Sequence, residues 1–146
     1  MKNGITIKNR GDFPAFWDST ITLYNKILID NKPEWVRHVV NDVFFKFLNE
    51  KQMNGNTVFH GTSHIVRIPK NNLYVSASDY SDYENTFTIQ TGDMVFIGEV
   101  NEVIDETNPD MRSNTIMSKH KGKCFLIKAF SENIHNIGLE HYKIEG

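Results

Sequence analysis

Two histidines four residues apart, His60 and His64, come closest to a metal-binding motif in this 146-residue chain. On a helix this spacing places both imidazoles on one face, but the zinc hydrolases that use it also need a glutamate directly after the first histidine. Here Gly61 follows, and the surrounding residues alternate as in a strand. The two rings would still share one face of a strand, so a metal-dependent hydrolase whose site is completed by His120 stays a minor alternative. We expect ordinary polar or interface histidines, with no metal and no cofactor.

The single cysteine, Cys124, lies in the apolar run Cys124–Ile127. A nucleophilic thiolate needs an adjacent base or cation, whereas a thiol among apolar neighbours behaves as a small hydrophobic side chain. We therefore predict a buried structural thiol. One cysteine also excludes an internal disulfide and a thiolate zinc cage.

Carboxylates form two clusters, Asp79 to Glu84 and Glu99 to Asp110. Neither has the alternating oxygen ligands and central glycine of a calcium loop. The glycine spacing of a phosphate-binding loop is absent as well. These clusters therefore predict solvated loops or, as the alternative, ion pairs between subunits. No catalytic residue is predicted, and the protein is not expected to be an enzyme.

Three tyrosines, Tyr74, Tyr80 and Tyr83, lie in one polar stretch from Lys70 to Asn85. Tyrosine offers a large, stiff contact area at modest entropic cost and is enriched in protein interfaces. The alternative is that one or two of these rings fold back on the body of the protein. The sequence predicts a subunit or partner interface made of the following residues: Tyr74, Tyr80, Tyr83, Glu102, Asp105, Glu106 and Arg112.

Composition predicts one globular domain over residues 1–146, with 39% hydrophobic and 12% aromatic residues. The 16 Lys and Arg against 18 Asp and Glu give a net charge of −2, which disfavours generic nucleic-acid binding. No apolar stretch is long enough for a signal core or a membrane span. We expect a protein of the cytoplasm, or of a particle assembled there.

Alternating apolar residues predict strands over Thr20–Ile29, where only Asn25 interrupts the apolar side, and over Thr57–Ile68 up to Pro69. The stretch Trp35–Leu48 fits both a helical stripe and a strand. Its Val, Phe and Trp content favours a strand with a bulge or bend at Asn41-Asp42.

The rest of the chain predicts further strands, and a short helix over about Pro109–His120 whose charge order complements the helix dipole. The further strands are Met94–Val100, Cys124–Phe130 and Leu139–Ile144. The fold class is therefore mainly β: a small barrel or sandwich of about six to seven strands, with one late helix and a long inserted loop. Three segments should lie outside the strands: an N-terminal arm (1–18), the long loop (70–85), and a loop with the helix (101–121).

Several segments together resemble minor structural proteins of tailed phages that act in head closure or head-to-tail joining. They span about four fifths of the chain in the right order, and the closing segment is the most distinctive. The segments are Thr22–Asn25, Val66–Pro69, Gly92-Asp93 with Val95, Gly98–Val100, Ser113–His120 and Leu139–Gly146. The extended apolar stretch Val36–Leu48 departs from the resemblance, because it lengthens what would be two short strands.

The resemblance implies a β-barrel-like fold without catalysis. It also implies a homo-oligomeric ring, a hexamer, in the virion neck between portal-adaptor and tail proteins, with DNA passing through the channel without sequence-specific binding. A tail terminator or another ring protein at the tail end is the alternative from the same particle.

Overall fold

The computed structural model describes residues 1–8, 13–54, 57–134 and 138–146, without the side chains of residues 49–62. The described residues form eight strands and one α-helix, so the predicted mainly β class is confirmed. The elements are β1 (Lys2–Ile7), β2 (Ser19–Ile29), β3 (Lys32–Asn54), β4 (Thr57–Pro69), β5 (Met94–Ile97), α1 (Ser113–Lys119), β6 (Cys124–Leu126), β7 (Ala129–Asn133) and β8 (His141–Glu145). No helix among these residues is long and apolar enough to cross a membrane.

The strands form one curled sheet in the order β6-β5-β2-β3-β4-β8-β7, and β1 pairs in parallel with β3. The two ends of this order, β6 and β7, are separated in the chain only by Ile127 and Lys128. The N–H of Ile127 donates to Asp93 O at 2.9 Å, and the N–H of Lys128 donates to Glu145 O at 2.8 Å. Because the chain steps directly from one end strand to the other, the sheet must curl until its ends meet, as in a small barrel.

The long strand β3 is shared by both halves of the sheet. Its first half pairs with β2 up to Val43, and its second half pairs with β4 from Phe44 onwards. Between the halves Asp42 has a φ of 58°, and the register with β2 shifts. This is the bulge predicted at Asn41-Asp42, and it lets one strand bend from the first half of the barrel into the second.

The barrel interior is apolar and receives side chains from both halves of the sheet. Alternate residues of each strand point inward, as the alternation along β2 predicted. Its buried members are Ile7, Ile21, Leu23, Val40, Val43, Val66, Ile68, Phe87, Ile89, Val95, Phe125, Ile127, Tyr142 and Ile144.

A second apolar cluster lies on the outer face of the first half, made of β2, β3, β5 and β6. Tyr24, Trp35, Met94 and Phe96 point outward there and are buried. They are covered by residues 99–121, which contribute Ile104 from the loop and Ile116 from α1, together with the partly buried Met117. The helix is therefore held by its packing on the sheet, since seven residues are too few to be stable alone.

Several predicted boundaries differ from the structure. The N-terminal arm contains β1, whose weak alternation gave no strand signal, so the strand count is one above the predicted range. Helix α1 begins at Ser113, because Pro109 and Asp110 lie in a turn in which the Met111 N–H donates to Asn108 O at 2.9 Å. The run Cys124–Phe130 is divided where the chain passes from β6 to β7.

The turn between β2 and β3 consists of Asp30 and Asn31, which have φ values of 52° and 63°. Left-handed backbone is unfavourable for residues other than Gly, Asn and Asp, and most of all for β-branched residues. We expect Asn31→Val to lower the free energy of unfolding by about 1–2 kcal/mol, and Asn31→Gly to leave it unchanged or higher. Urea unfolding of both variants checks this, and equal effects of the two substitutions would contradict it.

Candidate interaction surfaces

The loop that follows β4 is anchored to the barrel by Tyr74. Its ring centroid lies 4.5 Å from that of Tyr142 and 5.9 Å from that of Phe87. Backbone hydrogen bonds also hold this region in place. The Val75 N–H donates to Phe87 O at 2.9 Å, and the Phe87 N–H donates to Leu73 O at 3.0 Å. Tyr74 is thus half-buried against the body of its own chain.

Tyr80 reaches further into the barrel, to a histidine that is wholly buried. Its hydroxyl lies 2.8 Å from Nε2 of His38, while Nδ1 of His38 accepts the Ile5 N–H at 3.1 Å. Because Nδ1 is an acceptor, the neutral ring carries its proton on Nε2 and donates it to Tyr80. Burial lowers the pKa of His38 to about 4 and raises that of Tyr80. Tyr83 packs edge-on against Tyr80 with centroids 5.1 Å apart.

A buried carboxylate, Asp93, joins this loop to β2. It accepts hydrogen bonds from Nδ2 of Asn25 at 2.8 Å, from the Lys26 N–H at 2.9 Å, and from both the backbone and the side-chain amide of Gln90 at 3.2 Å. Asn25 also donates to Thr88 O at 2.8 Å. Burial raises the pKa of Asp93 to about 6, against the lowering effect of these hydrogen bonds.

Neither His38 nor Asp93 is among the predicted site residues. One available signal was Asn25, the polar residue on the apolar side of β2, because a buried amide must find partners. A second signal was the position of Asp93 directly after Gly92, whose φ of 94° makes the tight turn that aims the carboxylate inward. Neither signal identifies His38, which lies on the inward side of β3 between valines.

Two of the predicted acidic interface residues, Glu102 and Glu106, contact polar groups of the same chain. Oε1 of Glu102 lies 3.0 Å from Nε2 of His120 and 3.3 Å from Nζ of Lys119. The hydrogen bond to His120, with that to Lys119 adding to it, lowers the pKa of Glu102. Oε1 of Glu106 accepts the indole N–H of Trp35 at 3.0 Å and the Ser113 N–H at 3.1 Å. Glu106 therefore helps to hold the segment 99–121 on the barrel, whereas Glu102 joins the start of this segment to the end of α1.

Asp105 and Arg112, by contrast, are exposed. Asp105 closes a local turn by accepting the backbone and hydroxyl hydrogens of Thr107 at 2.9 and 2.6 Å. The described residues provide no partner for the Arg112 guanidinium. Of the predicted interface residues, Asp105 and Arg112 are exposed, whereas the others are partly buried and make contacts within the chain: Tyr74, Tyr80, Tyr83, Glu102 and Glu106.

The outer face of the second half of the barrel, which we call the β4 face, is covered only in part. Trp17 packs there on Phe44 and His141, with centroids 6.0 and 5.6 Å away, and Phe16 meets Phe44 edge-on at 6.2 Å. Phe16 remains 65% exposed. The guanidinium of Arg67 lies over the Phe44 ring at 5.5 Å, and its Nε has no hydrogen-bond partner. This face thus combines exposed aromatic surface with a cation.

The hairpin of β3 and β4 extends beyond the rest of the sheet. The pairing of β3 with β2 stops at Val43, and that of β4 with β8 starts only at Ile65. Residues 49–54 and 57–62 are paired with each other, from Asn49 with Thr62 to Asn54 with Thr57. Within the described part of the chain, both outer backbone edges of this hairpin arm lack a neighbouring strand.

Two histidines of the hypothetical metal site, His64 and His120, lie in different parts of the molecule. His64 lies inside the barrel with its ring stacked on Phe125 at 4.9 Å, whereas His120 lies in the outer cluster, edge-on to Phe96 at 5.3 Å. The side chain of His60 is outside the described residues. Among those that are described, no three His, Cys, Asp or Glu side chains are grouped for a metal ion.

Cys124 lies in the outer cluster and is partly buried there. Its thiol donates to Met117 O at 3.3 Å, and burial raises its pKa. A thiol with these neighbours is not activated as a nucleophile.

Comparison with protein families gives a match to the family of unknown function DUF6751 over residues 16–146. The chain belongs to this family. The matched range begins just before β2 and includes every described element except β1. Neither the curated proteins nor the solved structures gave a match.

Proposed function

We propose that this DUF6751 protein is a structural subunit of a tailed-phage neck, a head-closure or stopper-type connector that forms a ring. The resemblance of its segments to such proteins supports this function, as does a barrel in which the buried Asn25, His38 and Asp93 are hydrogen-bonded within the chain. The ring contacts neighbouring portal-adaptor and tail proteins, and DNA passes through its channel.

The hairpin arm is the observation that carries the proposal. From Leu48 to Asn54 it reaches about 20 Å, at ~3.3 Å per strand residue. A two-stranded hairpin alone is only marginally stable in water, and unpaired strand edges invite pairing with another chain. A subunit that works by assembly gains from such an arm, because a neighbour can complete its hydrogen bonding.

The net charge of the chain supports a channel through which DNA passes without being bound. A ring of chains with a net charge of −2 presents no excess of cations for phosphates to bind, so DNA can move through it.

The experiment uses a phage that encodes this protein. The gene is removed and supplied again either in full or with residues 49–62 replaced by an Asn-Gly turn that joins Leu48 to Ser63, which are partners in the hairpin. We expect electron microscopy to show unjoined heads and tails without the protein, joined particles with the full chain, and unjoined ones with the shortened chain. If the purified shortened chain unfolds at the same thermal midpoint as the full chain, its barrel is intact.

Each other outcome has a definite meaning. Normal, DNA-filled, tailed particles without the protein would end the proposal. Tails of uncontrolled length would indicate a tail terminator instead. Joined particles with the shortened chain would show that the hairpin arm is not needed for joining, so the arm would no longer support the proposal. Stoichiometric zinc in the purified protein would favour the metal-dependent hydrolase.

A further inference from the structure

The β4 face carries an excess of positive charge. Its outward-pointing residues alternate with those that enter the core, which places Lys46, Arg67, Lys143 and Glu145 on this face. Three cations thus stand against one carboxylate, and Lys143 and Glu145 pair with each other at 2.7 Å. Lys46 is exposed, and the described residues provide no ion-pair partner for it.

Apolar surface lies beside these cations. Phe16 is the most exposed aromatic residue of this face, and Phe44 and Ile65 are only half-buried. Exposed apolar area bordered by charge is typical of a protein interface.

Residues 99–112, which we call the acidic ridge, carry the opposite charge on another side of the molecule. This segment contains five carboxylates and one guanidinium. Glu102 and Glu106 are held internally, whereas Glu99, Asp105 and Asp110 are exposed, and Glu99 also pairs with Arg37 at 3.8 Å. Val103, 49% exposed, adds an apolar contact.

The two surfaces lie on opposite sides of the barrel core. The ridge covers the outward side chains of β2, β3 and β5, whereas the β4 face is the outer surface of β4, β8 and the second half of β3. Two different complementary surfaces on opposite sides of a subunit produce head-to-tail contacts, which close into a ring when the rotation between subunits allows it.

Resting on the proposed function, we infer that the acidic ridge of one copy docks on the β4 face of the next. Carboxylates of the ridge meet Lys46 and Arg67, and Val103 meets the exposed Phe16. The occupant of the β4 face is thus a second copy of this chain, chosen by the complementarity of charge and apolar surface.

Two variants test the pairing of these surfaces. The first carries Phe16→Glu and Lys46→Glu on the β4 face, and the second carries Val103→Lys and Asp110→Lys on the ridge. The positions on each surface are exposed. A matched control, Glu84→Lys, changes an exposed charge in the long loop (70–85). Equal thermal midpoints of all chains establish that they fold.

Sedimentation of the full chain should show association that increases with concentration, and the control should do the same. Each variant alone should associate on the order of 100-fold more weakly, because like charges meet at the contact. Mixed in equal amounts, the two variants should associate again, because the intact ridge of the first meets the intact β4 face of the second and the exchanged charges of the two altered surfaces are also opposite.

Association of the variants equal to that of the full chain would overturn this inference and leave the neck function standing. A mixture that stays monomeric would also overturn it, because the contact would then not be head-to-tail. A full chain that stays monomeric would do the same, while the particle experiment decides the neck function independently.

Discussion

Asp93→Ala should lower the free energy of unfolding by about 2–6 kcal/mol, because it leaves the partly buried N–H groups of Lys26 and Gln90 without their acceptor, at roughly 1–3 kcal/mol each. Both donate to the carboxylate in the folded protein, at 2.9 and 3.2 Å. Asn25 would lose one of its partners but keep Thr88 O. The structure should therefore be weakened mainly where β2 meets the turn before β5.

Urea unfolding measures the effect, and Asp110→Ala is the matched control because that carboxylate is exposed. We expect the control to stay within about 0.5 kcal/mol of the original chain, as surface substitutions usually do. Hydrogen exchange should show the Lys26 and Gln90 amides losing protection first. Equal stability of the two variants would show that Asp93 is not structurally required.

The fold could be predicted to a large extent because its signals are local. Alternation marks β2, and the Val-rich and Phe-rich run of β3 bends at Asp42 as its sequence indicated. The parallel strand β1 has no such signal. It is fixed by contacts with residues 33 or more positions away, such as the Ile5 N–H with His38 and the Met1 amine with Glu34.

The interaction surfaces were harder to predict because residue type does not determine which way a side chain points. Tyr74 and Tyr80 have the composition of an interface, yet ring packing and a hydrogen bond turn them onto the barrel. Glu102 and Glu106 bind partners in α1 or at its ends. The β4 face could not be seen in the sequence, since it is formed by strands far apart along the chain.

The stability of the protein between pH 4 and 6 should depend little on His38 and Asp93 together, because their titrations act in opposite directions. The folded pKa of His38 is about 4, against 6.5 for a free histidine, so its contribution is lost as the pH falls from about 6.5 to 4. The folded pKa of Asp93 is about 6, against 3.8, so its ionised form weakens the fold as the pH rises from about 4 to 6. Each effect amounts to about 3 kcal/mol, at 1.36 kcal/mol per pKa unit.

Two substitutions separate the titrations. Asp93→Asn removes the carboxylate, so acidification from pH 6.5 to 4 should weaken this variant by about 3 kcal/mol more than the original chain. His38→Gln keeps a donor and an acceptor but does not titrate, so this variant should gain a similar amount relative to the original. Urea unfolding at several pH values measures each curve against its own value at pH 7, so a constant loss from the substitution itself cancels. Other carboxylates, including Glu102 and Glu106, are common to all chains and cancel as well.

The pH dependence of the double variant, Asp93→Asn with His38→Gln, should again resemble that of the original chain. The two groups are linked through Tyr80, which binds His38 at 2.8 Å and whose pKa is raised by burial and by the nearby charge of Asp93. If His38 and Asp93 titrate independently, the single effects add and the double variant follows the curve of the original chain between pH 4 and 6. A difference between these two curves that the single effects do not account for would show that the two titrations are coupled through Tyr80. Parallel curves for Asp93→Asn and the original chain would instead mean that Asp93 does not change its charge in this range.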